Sequence, residues 1–147
     1  MKTCIIIAGL PGSGKSTLAK TLASMSSFNT KIICTDDYFV NEETGEYEFD
    51  VKDLHKNHNL AFNDFKKAVL GRGIEYHTVI VSNTCTQTWE YKKYEDFAKD
   101  NGFVVFPVIV RKNKEQVYKN LHGVPDEVVN KMQSRLVQDF VTPKLKR

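Results

Sequence analysis

The chain has 147 residues, of which 41% are hydrophobic and 27% charged, enough for one domain with a real core. No apolar stretch approaches the roughly 18 consecutive residues of a membrane span. The net charge of +3 says little about partners, and the three cysteines, Cys4, Cys34 and Cys85, lack any metal-ligand spacing. That sparse, odd count fits small hydrophobes in a reducing cytoplasm. Met1-Lys2 and the apolar run behind it are too short for a secretion signal and lead straight into the next motif.

The first predicted strand, residues 3–8, runs into Gly9-Leu10-Pro11-Gly12-Ser13-Gly14-Lys15-Ser16, and a helical pattern through Leu18, Leu22 and Met25 follows. Glycine, four free positions and Gly-Lys-Ser between a strand and a helix form a phosphate-binding loop. Its glycines let successive amides turn inward onto phosphate oxygens, helped by the helix N-terminus. Gly9, Pro11, Gly12, Ser13, Gly14, Lys15, Ser16 and Thr17 are the expected nucleotide contacts. Lys15 would reach the β- and γ-phosphates and the Ser16 hydroxyl would ligate Mg²⁺, so ATP and Mg²⁺ are the expected cofactors.

A second strand at 31–35 ends in Asp36-Asp37-Tyr38. Ligands of an open parallel sheet gather at the carboxyl ends of its strands. An acid there can take the proton of an acceptor hydroxyl, a role assigned to Asp36 ahead of Asp37, while Asp37 joins Ser16 as a metal contact. The alternative is a helix cap or indirect support of Mg²⁺ through its bound water. Residues 36–50 hold seven acids (Asp36, Asp37, Glu42, Glu43, Glu46, Glu48, Asp50) and no base.

Helical spacing through Val51, Leu54, Ala61, Phe65 and Ala68 predicts a second helix stopping at Leu70-Gly71. On it, His55 and His58 lie three apart without further ligands and read as exposed. The third strand, 77–82, ends in Ser82-Asn83-Thr84, without the carboxylate a motor ATPase would carry. No Asn-Lys-x-Asp motif supports a GTPase. Trp89, Tyr94, Phe97 and Ala98 predict a third helix ending at Asn101-Gly102, with Trp89 read as packing rather than base stacking. The fourth strand, 103–110, contains Pro107, which predicts an edge position or a bulge.

A last helix starts at Pro125-Asp126-Glu127. The connection 119–125 before it reads as a lid, for which Lys119, His122, Lys131 and Arg135 are the available cations. Residues 111–147 hold nine bases against four acids, either a phosphate-attracting end or a solvated helix face with a basic tail. Alternating strands and helices predict an α/β fold: a four-stranded parallel sheet flanked by helices, with a helical lid.

The loop Gly9–Thr17, the Thr35-Asp36-Asp37-Tyr38 strand end, Ser82-Asn83-Thr84 and the Asn120–Val124 lid occur in the order of bacteriophage-type polynucleotide 5′-kinases, which the chain resembles over roughly residues 1–140. Glu46-Tyr47-Glu48-Phe49 and His122-Gly123-Val124 are similar to the kinase module of some animal proteins of that group. The resemblance implies a P-loop kinase fold and transfer of the ATP γ-phosphate to a 5′-hydroxyl end of DNA or RNA, with Asp36 as base and Lys119 and Arg135 as catalytic cations. The chain departs from the family at Ser82-Asn83, where an aspartate is usual, at Phe39, where the phage enzymes have arginine, and at Lys119, a point charge in place of a planar fork. A small metabolite, nucleoside or hydroxymethylated DNA base as acceptor, and a nucleotide-binding interaction module with little catalysis, stay open as alternatives.

Overall fold

Alternation along the strands sorts the apolar residues onto two faces of one sheet. The computed structural model describes residues 1–9, 13–26, 29–46, 48, 50–83 and 88–110, with the backbone alone for Phe39, Val51 and 88–90. Strands β1 (Thr3–Gly9), β2 (Thr30–Ile33), β3 (Thr78–Ser82) and β4 (Val104–Val110) pair in parallel in the order β2-β3-β1-β4. Cys4, Ile6, Ile33, Val79 and Val81 bury against Ala61, Phe65, Ala68 and Val69 of α2 (Leu54–Leu70) and Tyr94 and Ala98 of α3 (Thr88–Asp100). Ile7 and Ile80, with Ile5 and Ile32, meet Leu18, Ala19 and Leu22 of α1 (Lys15–Met25). A parallel sheet needs cover on both faces, and this one receives it, giving the expected α/β architecture of P-loop kinases. The expected lid and last helix fall within 111–147, outside the described residues.

Aromatic packing binds α2 to α3. The Phe65 and Tyr94 rings meet edge to face at 4.9 Å, and both residues are fully buried. Such a pair contributes about 0.5–1.5 kcal/mol beyond the area it removes from water. Two members of the predicted stripes lie elsewhere: Leu54 and Met25 are exposed. Each stands at a helix end, beyond the reach of the sheet.

Strand ends differ from the sequence expectation by one or two residues, for visible reasons. The Phe103 N–H donates back to the Ala98 carbonyl at 2.9 Å, across Gly102 at φ +83, so Phe103 closes α3 instead of opening β4. Gly71, also left-handed, ends α2 at the expected place. Pro107 of β4 pairs with Ile6 of β1, and among the described residues β4 is an edge strand, as its missing N–H requires.

Candidate active site

All four strands point their carboxyl ends the same way, so the segments leaving β1, β2 and β3 gather along one edge of the sheet. Gly9 closes β1 there. A Cβ on Gly9 would stand 2.7 Å from Ser13 Oγ, 3.0 Å from the Val110 carbonyl and 3.2 Å from Lys15 Cγ. No side chain fits, and that is the physical content of the motif's first glycine. Gly14 takes φ +96 and caps α1 without a side-chain hydrogen bond, and the first turn of α1 carries no acid. The first N–H groups of an α-helix lie beyond the reach of its own carbonyls and favour an anion.

Lys15 is only 7% exposed, and Ser13 is buried with its Oγ lacking a hydrogen-bond partner among the described residues. A buried hydroxyl without a partner costs about 1–3 kcal/mol, so a loop that retains one has a use for it. Ser16 and Thr17 face solvent on the first turn. Tight backbone approach, an orphan hydroxyl and a buried ammonium together suit a chain of phosphates. Pro11 and Gly12 lie outside the described residues.

Across β3 from this loop, β2 gives way to a 3₁₀ turn, Thr35–Phe39. The sequence predicts strand as far as Thr35; the structure ends it at Ile33. Asn83 explains the difference. Its Oδ1, buried just beyond β3, accepts from the Thr35 N–H at 2.8 Å and from the Thr35 hydroxyl at 2.9 Å. The amide thus takes the donor that a longer ladder would need and fixes where the acidic turn begins. Ser82, also buried, holds an Oγ with no partner among the described residues.

In that turn Asp36 is half-buried and Asp37 more open. Partial burial, then the charge of Asp36, push the Asp37 carboxyl above its ordinary range, while Lys20 of α1 pulls it down. The described residues contain no cluster of three metal-ligating side chains. Two carboxylates plus phosphate oxygens and water are nonetheless the usual donor set for Mg²⁺.

α2 braces the turn from the other side. Asn57 Nδ2 donates to the Tyr38 carbonyl at 3.3 Å, and the Tyr38 hydroxyl donates to Asp64. Burial, with the Asp64 hydrogen bond and charge, raises the Tyr38 pKa, so the phenol keeps its proton. His58 corrects a sequence expectation: it is half-buried, not exposed, because α2 turns it inward toward Asp36 and Lys93. Burial first, then Lys93, hold its pKa below 6.5, against a smaller upward pull from Asp36. His55 is exposed as expected and meets Asn59 at 3.2 Å.

Sequence reading missed Asn83, which drew notice only as a missing carboxylate, and the neighbours of His58. A polar residue directly after a buried strand was the available signal for the first. The second depends on how α2 and α3 pack. Lys119, His122, Lys131 and Arg135, the expected lid cations, lie outside the described residues, as does Cys85. Cys4 and Cys34 are buried and unbridged, and among the described residues no helix is long and apolar enough to cross a membrane.

A family model described as AAA domain matches residues 5–136, nearly the whole chain. The chain belongs to this AAA-domain family. Human NEDD4-binding protein 2 is 35% identical to it over 136 residues, covering 87% of the chain and 7% of that protein, so the chain spans a small part of this relative's length. Among solved structures, Chaetomium thermophilum Kti12 in complex with ADP-AlF3 superposes with a TM-score of 0.60 at 15% identity, covering 90% of this chain and 79% of that one. A chain of the Pnkp1/Rnl/Hen1 complex superposes with a TM-score of 0.59 at 15% identity, covering 99% of this chain and 41% of that one. These likenesses place the AAA domain in the P-loop kinase-like fold.

Proposed function

We propose that this chain is a single kinase module that uses ATP and Mg²⁺ to phosphorylate a hydroxyl of a nucleic acid, most simply the 5′-hydroxyl end of DNA or RNA. One observation carries the reading. Asn83 anchors the acidic turn at Thr35, on the same sheet edge as the Gly9–Lys15 loop. The likeness to a chain of the Pnkp1/Rnl/Hen1 complex supports a nucleic-acid acceptor.

Bound ATP–Mg²⁺ supplies the phosphoryl group and screens its charge. The protein does the rest by position, because phosphoryl transfer passes through a loose transition state. Lys15 and the amides around Ser13 and Gly14 hold the phosphates. Ser16 and Asp37 would hold the Mg²⁺, whose charge would offset the burial and the Asp36 repulsion that push the Asp37 carboxyl up. Asp36 aligns the acceptor hydroxyl and takes its proton. Lys119 and Arg135 are the cations proposed to close over the transferred group.

Incubation with γ-labelled ATP and 5′-hydroxyl DNA and RNA oligonucleotides tests the proposal. Label should move to the 5′ end; transfer to no nucleic-acid end would discard it. A small polar acceptor is the second reading, favoured by a recess of about 210 Å³ beside Tyr38, Asn41, Glu48 and Lys56. Rates insensitive to salt would select that acceptor, because polymer binding weakens steeply as counterions compete.

A further inference from the structure

His58, Phe62 and Lys66 follow one another at four-residue spacing on α2, and Lys93 of α3 faces them across the groove between the helices. Lys66 Nζ stands 5.1 Å and Lys93 Nζ 5.0 Å from the Phe62 ring centre, and Lys93 is also 5.6 Å from the Tyr94 ring. Both lysines are half-buried, and neither makes an ion pair among the described residues. Their neighbours on α3 behave differently: Lys92 pairs with Asp96 at 3.3 Å and Lys99 with Glu95 at 2.9 Å. An aromatic face holds an ammonium in place without cancelling its charge. Asp64, the nearest acid along α2, is engaged by the Tyr38 hydroxyl.

Among the described residues the result is a fixed positive pair, Lys66 and Lys93, without an ion-pair partner. His58, which feels the charge of Asp36, marks the end of this helix face nearest the acidic turn, and Lys66 lies eight residues and about 12 Å further along the helix. The exposed acids Glu42, Glu43, Glu46, Glu48 and Asp50 present the opposite sign and would repel a polyanion from the segment before α2.

We propose that the α2–α3 groove holds the phosphates of a single-stranded nucleic-acid acceptor downstream of its reacting 5′-hydroxyl, with Lys66 and Lys93 as the phosphate contacts. The inference rests on the kinase reading above and adds the path of the polymer. Neither lysine contacts the reacting atoms, so each governs acceptor affinity and leaves the chemical step alone.

The test measures fluorescence anisotropy of a 3′-labelled, 5′-hydroxyl ten-nucleotide thymidylate strand across a salt series. Wild type is compared with Lys66→Gln, Lys93→Gln and the double variant. The double variant should bind about tenfold or more weakly, and its log K against log salt slope should fall by about 1.4, the share of two phosphate contacts on a single strand. KM for the strand should rise with kcat and Tm unchanged, while KM for thymidine 3′-monophosphate stays near wild type. Unchanged affinity and slope would overturn the groove, and so would wild-type protein that does not bind the strand. Equal binding of polyglutamate, lost in the double variant, would assign the groove to an acidic protein instead. Weakened strand binding without phosphorylation of any acceptor would sink the kinase reading and keep the groove; phosphorylation with wild-type affinity in the variants would do the reverse.

Discussion

Asn83 and Thr35 join the ends of β3 and β2 through one side-chain oxygen that accepts two hydrogen bonds, at 2.8 and 2.9 Å, in a buried position. The family resemblance would put a carboxylate at this strand end. Here a neutral amide sets the geometry of the acidic turn without adding a third negative charge beside Asp36 and Asp37. Removing it should be felt in stability as well as in transfer. Asn83→Ala leaves a buried N–H without an acceptor and should cost about 1–3 kcal/mol in urea denaturation. Thr35→Val removes only the hydroxyl bond and should cost less, about 0.5–1.5 kcal/mol. Equal costs, or none, would show that the pair does not hold the turn.

Gly9 is closed in by Ser13, Lys15 and the Val110 carbonyl. Gly9→Ala should therefore destabilise by about 1–3 kcal/mol through overpacking and weaken ATP binding at least tenfold by calorimetry. Ser13→Ala is the informative contrast. Its hydroxyl has no partner to lose among the described residues, so stability should hold while nucleotide affinity falls.

Asp36→Asn keeps the size of the side chain and removes the base. Single-turnover transfer should slow by about 10²–10⁴-fold with ATP affinity largely retained. A turnover rate equal to wild type would exclude Asp36 from proton transfer.

His58 should titrate below 6.5 in the folded protein, because burial and Lys93 both oppose its charged form. Histidine resonances followed by NMR against pH provide the check. Lys93→Ala should raise the midpoint by removing a like charge, and His55→Gln should raise it slightly. Asp36→Asn should lower it by removing the attractive one. Movement in the opposite sense would place His58 away from the acidic turn.

Burial raises the Cys4 thiol from 9.0 to about 12 and the Cys34 thiol from 9.0 to about 11, with Glu95 adding to the first and Asp36 and Asp37 to the second. Below pH 9 both are protonated in folded and unfolded chains, so stability does not depend on them. Above pH 9 the unfolded chain releases protons that the folded chain keeps, and stability falls until pH passes about 11 for Cys34 and about 12 for Cys4. By pH 10.5 the loss should be on the order of 1–2 kcal/mol per thiol. Cys34→Ala should flatten the alkaline side of a urea-midpoint profile, and iodoacetamide should modify neither thiol at pH 8 without unfolding.

Much of the fold was legible because its signals are local. Continuous apolar strands demand cover on both faces. Gly71 and Asn101-Gly102 mark helix ends, and Pro107 can only lie where one N–H is dispensable. The phosphate loop was legible for the same reason, since Gly9 and Gly14 answer to backbone geometry alone. Asn83 was not, because its meaning depends on a partner 48 residues away. Nor was the inward turn of His58, or the sharing of Phe62 between Lys66 and Lys93, since both follow from how α2 and α3 meet. Leu54 and Met25 show the converse: periodicity carries on past the point where the sheet ends, and the burial does not.

Pro107 bears on how this molecule behaves in company. Among the described residues β4 is an outer strand with Val104 and Phe106 half in water, a tempting template for a stray strand from another copy. A proline in the middle of that strand leaves it one donor short, so a fifth strand docking there would meet a break in its ladder. The same residue that marks the border of the sheet also guards it against fibre-like stacking at high concentration.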